Sequence, residues 1–265
     1  IPFNKNRHPY EGIAFQFSHH TVRQDGTIAH AGEYISFEKG AFPNYEFVRN
    51  LKKQLEMDNG SIFRYHNHEN TYLNFIYDQL DEDPEAPDDK DELQDFIRSI
   101  TNHKDGKVKV EGIRNMIDLF QIVIKYYYPP HAKGSNSLKK ILPAIIDDSK
   151  FLRDKYSKPI YGKGLEVPSL NFENHVWIDP GTGNDPYKTL PKLFKEYDDE
   201  TLDKYFGGID EVADGGAAMT AYGFMQYSDI SEELRIQLRD GLLRYCELDT
   251  MAMVMLFEGL MDKAG

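Results

Sequence analysis

Near the end of the chain, Leu234, Leu238, Leu242, Tyr245, Asp249, Ala252 and Leu256 recur at spacings of four and three. At about 100° per residue they share one helical face. Asp249 falls in the middle of that apolar stripe, where a bare carboxylate is costly. It must therefore be protonated, hydrogen-bonded, paired with a cation or opened to a cleft. Tyr245 lies one turn before it. Two readings follow: Asp249 accepts hydrogen bonds from a neighbouring element, or it is a metal ligand facing a cleft with Tyr245 orienting a water. A second cluster, Tyr65-His66-Asn67-His68-Glu69, stands where a strand gives way to a helix. Carboxylates at such junctions point into the crevice above a sheet's carboxyl edge. Glu69 at a helix start could equally do no more than complement the helix dipole. Direct zinc binding by His66, His68 and Glu69 is a poorer fit, because three ligands within four residues do not converge easily. A third stretch, Lys125 to Lys140, interleaves Tyr126, Tyr127 and Tyr128 with Lys133, Lys139 and Lys140. Such a mixture could stack bases and hold phosphates of a single strand, or the tyrosines could pack beneath the loop.

The elements that must position these residues can be read from periodicity. Gly12 to His19 and Ile28 to Phe37 alternate apolar and polar residues around RQDG, the pattern of a hairpin. Helical spacing runs from Asn44 to Leu55, ended by Asn59-Gly60, and a short strand is expected over Ser61 to Tyr65. Helices are expected from about Asn70 to Leu80 and from Leu93 to Ile100. Ile113 to Ile124 reads as a strand passing into a helix, and Tyr128-Pro129-Pro130 closes it. Leu138 to Ile146 follows a cap-rich Ser135-Asn136-Ser137. Ser157 to Gly216 is rich in proline and glycine and reads as a long loop-rich insertion. Two helices, Ala217 to Tyr227 and Glu232 to Met261, close the chain. Early strands, later helices and alternation between them give an α/β class, a mixed sheet covered by helices, in a single domain over 1–265.

Composition narrows the classes of function. The 265 residues carry a formal charge of −13, and the segment Asp78 to Asp95 alone holds ten acids and one lysine, leaving −4 for the rest. That segment reads as a solvated link and helix start, with Asp88 or Asp89 at the cap; cation binding or autoinhibition is the alternative. A simple basic-surface binder is excluded, whereas a metal-dependent enzyme acting on nucleic acid is not, since bound ions offset carboxylates. The single cysteine, Cys246, rules out an intrachain disulfide framework and suits a reducing, cytoplasmic setting. No apolar run approaches the ~20 residues of a membrane span, and Ile1 onward has no leader-like layout.

Several stretches together resemble a bacterial RNase H-like family of unknown function, related to the DEDD proofreading exonucleases and often fused behind a RecB-like nuclease domain. They are PYEGIAFQFSHH from Pro9, YHNHENTYL from Tyr65, MIDLF from Met116, YYYPPHAKGSNSLKKILPAI from Tyr126, GGAAMTAY from Gly215 and LLRYCELDTMAM from Leu242. The last resembles the third exonuclease motif in its tyrosine form. The resemblance implies an RNase H-like mixed sheet flanked by helices and a 3′–5′ exonuclease acting on DNA or RNA. It also makes Asp249 and Glu69 ligands of Mg²⁺ or Mn²⁺, with Tyr245 positioning the attacking water. Asn67 and Asp118 become supporting residues, and Lys133 and Lys139 candidates for holding substrate. The second motif departs from the family pattern, with Glu for Asp at position 69 and His68 for an aromatic residue. The family's first strand, which carries Asp-x-Glu, would end just upstream of Ile1, so the expectation is a sheet lacking its first central strand and a chain that is a fragment. A non-catalytic nucleic-acid- or protein-binding module on the same scaffold is the alternative.

Overall fold

The computed structural model describes residues 4–8, 11–132, 134–179, 181, 183–190 and 215–265. The chain is of mixed α/β class and divides into two compact units, Ile1–Phe17 with Gly40–Tyr128 and Ser18–Lys39 with Pro129–Gly265. Strands β1 (Gln16–Val22) and β2 (Ile28–Ile35) form the expected two-stranded ladder. Gly26 turns the chain between them at φ +84°, and its N–H donates to the Arg23 carbonyl at 2.9 Å.

The first unit holds helices α1 (Asn44–Leu55), α2 (His68–Glu82), α3 (Lys90–Ile100) and α4 (Leu119–Tyr126). Their apolar faces, among them Val48, Ile76, Leu80, Leu93, Ile97 and Val123, are buried together. Strands β3 (Phe63–Arg64) and β6 (Ile117–Asp118) pair in parallel. Between them lie α2, α3 and an exposed antiparallel hairpin, β4 (Asn102–Asp105) and β5 (Val108–Glu111). The Asp118 carboxylate caps α4 by accepting from the Phe120 N–H at 3.0 Å and also accepts from the His66 N–H at 2.9 Å. That second bond holds His66 at φ 70°, an uncommon value away from glycine.

The acidic link is part of this unit's surface. Asp83 pairs with Arg7 and accepts from the Tyr45 hydroxyl at 2.7 Å, while Asp89 receives both Arg49 Nε and Nη2 at 2.6 and 2.7 Å. Asp89 stands at the cap position of α3, but its carboxylate serves Arg49 instead of the helix. The Arg49 hydrogen bonds hold it below the ordinary carboxylate range.

The second unit is built around its last helix. It contains α5 (Leu138–Asp148), α6 (Lys150–Tyr156), α7 (Gly215–Tyr227) and α8 (Glu232–Ala264). Ser231 caps α8 through the Leu234 N–H at 3.2 Å. The helix packs against β2, α5, α6 and α7, so between Gly241 and Gly259 it is buried on more than one face. At Gly259 an added Cβ would come within 2.8 Å of Ile145 and 2.9 Å of Leu152, so the glycine lets α5 and α6 approach closely. Residues 157–190 wrap this helix with bridges Tyr161 to Val167 and Tyr161 to His175, and a 3-10 turn, Pro186–Thr189. Trp177, Phe172, His175 and Tyr161 stack edge to face beneath the wrap.

The helices fall close to their expected spans. In place of one mixed sheet, the described residues form three separate two-stranded ladders. The strand expected over Ser61 to Tyr65 shortens to Phe63–Arg64, because His66 turns out of the extended region. The remainder of the expected insertion, 191–214, lies outside the described residues, as does Lys133. Among the described residues no helix is long and apolar enough to cross a membrane.

Candidate functional site

The α8 helix projects two acids, two positions apart, into very different surroundings. Asp249 is half-buried on the stripe facing α5 and the 3-10 turn. Its Oδ1 accepts from the Tyr187 hydroxyl at 2.8 Å. Burial pushes its carboxyl up to about 6, against the opposing pull of the Tyr187 hydroxyl, the Lys139 charge and the Tyr245 hydroxyl. Lys139, in the first turn of α5, places its ammonium 5.3 Å from the Tyr187 ring centre and 5.4 Å from that of Tyr245. Burial, and then Asp249 itself, raises the Tyr187 phenol well above its ordinary value. Three residues singled out from sequence, Lys139, Tyr245 and Asp249, therefore meet in one cluster. Tyr187 was not foreseen. Its signal was the Asp185-Pro186 pair, which starts a helical turn: Asp185 accepts from the Tyr187 N–H at 3.2 Å and fixes that residue in place.

Glu247 is fully buried. Its Oε1 accepts from the Tyr161 hydroxyl and from Ser169 Oγ at 2.5 Å, and lies 3.1 Å from His30 Nδ1. Its Oε2 accepts from Asn171 Nδ2 at 2.8 Å, and the same amide reaches Glu33 at 2.6 Å. Burial alone would raise this carboxyl, but His30, Ser169 and Tyr161 outweigh it and bring it down to about 2. Glu33 moves the other way, raised by burial. Around the knot, His30 Nε2 meets Ser18 Oγ at 2.9 Å, and His20 bridges Thr250 Oγ1 and the Tyr161 hydroxyl, each at 2.8 Å. Burial and the neighbouring His30 lower His20 to about 3, so it sits there neutral.

His30, Glu33 and Glu247 each offer a ligand atom, all within 4.8 Å of one another, a mixed nitrogen and oxygen set that could hold a cation. Glu247 already has four partners in the knot, three of them from the 157–190 wrap, so its present work is to tie that wrap to α8. This knot escaped the sequence reading, which singled out only the stripe through Tyr245 and Asp249 on this helix. The continuous apolar run Met251 to Phe257 was the available sign of a helix buried all round.

The other candidates lie in the first unit. Glu69 is exposed in the first turn of α2, and Asn67 stands at its cap position with Nδ2 donating to Thr71 Oγ1 at 2.9 Å. Asp118 joins β6, α4 and His66 as described, with Arg64 3.4 Å away. The His68 ring lies 4.5 Å from that of Tyr72, and this local desolvation, with His66 beside it, lowers it although the residue as a whole is open to solvent. His66 and His68 are both exposed at this junction.

No curated protein matches this chain, and no solved structure matches it. A family model described as a domain of unknown function, DUF2779, matches residues 1–137, just over half of the 265. The chain therefore belongs to the DUF2779 family.

Proposed function

We propose that this is an RNase H-like domain of the DEDD exonuclease kind, which hydrolyses phosphodiester bonds of DNA or RNA with Mg²⁺ or Mn²⁺. The observation that carries the reading is Asp249, an inward carboxylate pushed up to about 6 because its surroundings offset its charge incompletely. A site of this kind gains most from an added cation, and its oxygen donors suit Mg²⁺ or Mn²⁺. The parallel pairing of β3 and β6 across a helical crossover is in keeping with an RNase H-like sheet.

Two divalent ions, when bound, would activate water and neutralise the leaving oxygen. The chain's own residues do the rest. Asp249 would hold metal through its carboxylate, one oxygen of which the Tyr187 hydroxyl fixes. Tyr245, on the same face, orients a water, and Lys139 stands ready to neutralise a phosphate beside both rings. For Glu69 the assignment as ligand rests on the resemblance, and its replacement is a separate test.

A labelled single strand incubated with Mn²⁺ and the protein expressed from its complete reading frame should shorten from its 3′ end. Asp249→Asn should stop this while circular dichroism shows the fold retained. Undiminished digestion by that variant removes the assignment. The binding-module alternative is favoured by one feature, the exposed Glu69 at the α2 N-terminus, where complementing the helix dipole already accounts for its charge. It predicts oligonucleotide binding without any Mn²⁺-dependent shortening.

A further inference from the structure

We infer that Tyr126 and Tyr128 form a stacking platform for single-stranded nucleic acid, an inference that deepens the proposed function and rests on it for the class of ligand. The geometry starts in α4, where Leu119 and Val123 are buried and Tyr127 continues their side into the C-cap. Tyr127 is extended, with φ −130° and ψ 108°, so the residues on either side of it point away from the core. Burial then alternates: Tyr127 and Pro129 are inside, while Tyr126, Tyr128 and Pro130 are outside. Tyr126 is 82% exposed and Tyr128 81%, against 9% for the Tyr127 between them. Pro129 restricts Tyr128 to extended backbone, so the two rings are held out by a stiff segment. Holding rings in advance lowers the ordering cost of binding.

Two large aromatic rings left in water invite a partner, and charge indicates which kind. From Leu119 to Tyr128 the sequence has no acidic residue and one lysine, Lys125, within a chain of net charge −13. A polyanion is the ligand such a stretch favours, and Lys125, adjacent to Tyr126 and exposed, supplies a local cation. Tyrosine faces stack on any base, so the platform should be tolerant of sequence.

The test is fluorescence anisotropy with labelled oligothymidylate and oligoadenylate in EDTA, where no turnover occurs. Tyr126→Ala and Tyr128→Ala should each weaken binding about tenfold, and the pair about a hundredfold. Phenylalanine at both positions should restore binding, because the ring face and not the hydroxyl does the work. Lys125→Ala should reduce the slope of log affinity against log salt by roughly 0.7. Unchanged binding in the double alanine variant overturns the platform, and does so even if Asp249→Asn abolishes digestion, which would leave the nuclease reading standing. Loss of binding in that variant, from a wild type that never shortens a strand, keeps the platform and removes the enzyme. A double variant that loses only self-association, seen by sedimentation, assigns the rings to a protein contact and overturns the proposal.

Discussion

Glu247 and Asp249 sit two residues apart on one helix, and burial acts on both in the same direction. What separates them is the supply of donors. Glu247 receives two hydroxyls, an amide and an imidazole contact and stays ionised down to about 2. Asp249 has the hydroxyls of Tyr187 and Tyr245 with Lys139 beyond them, and titrates near 6. One carboxylate is a finished structural joint, and the other retains an unmet demand for positive charge. Buried acids are informative about function when their desolvation is left incompletely offset.

The comparison breaks most decisively at Glu247. Glu247→Ala removes the carboxylate that Tyr161, Ser169, Asn171 and His30 share inside the protein and should cost about 3–5 kcal/mol. Thermal unfolding should show a drop on the order of 10 °C. A drop below about 2 °C would remove its structural role.

The pH dependence of stability should separate the two acids next. Glu247 is depressed, so its stabilisation is complete above the ordinary carboxylate range and is lost as pH falls toward about 2. Asp249 is raised, so its cost is fully present above about 6 and fades as pH falls toward 4. Urea unfolding of wild type against Asp249→Asn should therefore show a stability gap that widens by about 2 kcal/mol between pH 4 and pH 7. A gap independent of pH contradicts the raised value.

At pH 7.5 the same Asp249→Asn change should stabilise the apoprotein by about 1 kcal/mol, since it removes a charge and keeps the shape. Millimolar Mn²⁺ should raise the melting temperature of wild type and not of the variant. Destabilisation by asparagine would place Asp249 with Glu247 among the structural acids. The smallest effect is expected from Tyr187→Phe. Loss of one hydroxyl donor should lift the Asp249 titration further, visible by carbon NMR, and change stability by under about 1 kcal/mol.

Periodicity made the helices legible. The apolar spacing over Asn44 to Leu55 and over Glu232 to Met261 matches α1 and nearly all of α8, because a face of leucines is a strong local signal. The hairpin β4–β5 was missed because the NHKD half of NHKDGKVKVE has no apolar residue and Val108 and Val110 alternate over only four exposed positions, although its Asp-Gly pair was a turn signal. Within the candidate site, Tyr245 and Asp249 were visible as an acid and a phenol on an apolar stripe. Tyr187 and the Glu247 knot were not, because both depend on contacts between α8 and residues 157–190, which carry little regular structure and so no period. The three separate ladders likewise depend on pairing between distant segments, which local patterning does not encode.

The Asp118 contact with His66 draws a 52-residue excursion back to its starting point. Everything between those ends, including the acid-rich link between α2 and α3, is a closed loop whose length the ladder of β3 and β6 barely registers. Closure entropy grows only logarithmically, so doubling such a loop costs roughly 0.6 kcal/mol. Insertions at Glu85 to Asp88 should thus be borne lightly, while one beside His66 would disturb the strand junction itself.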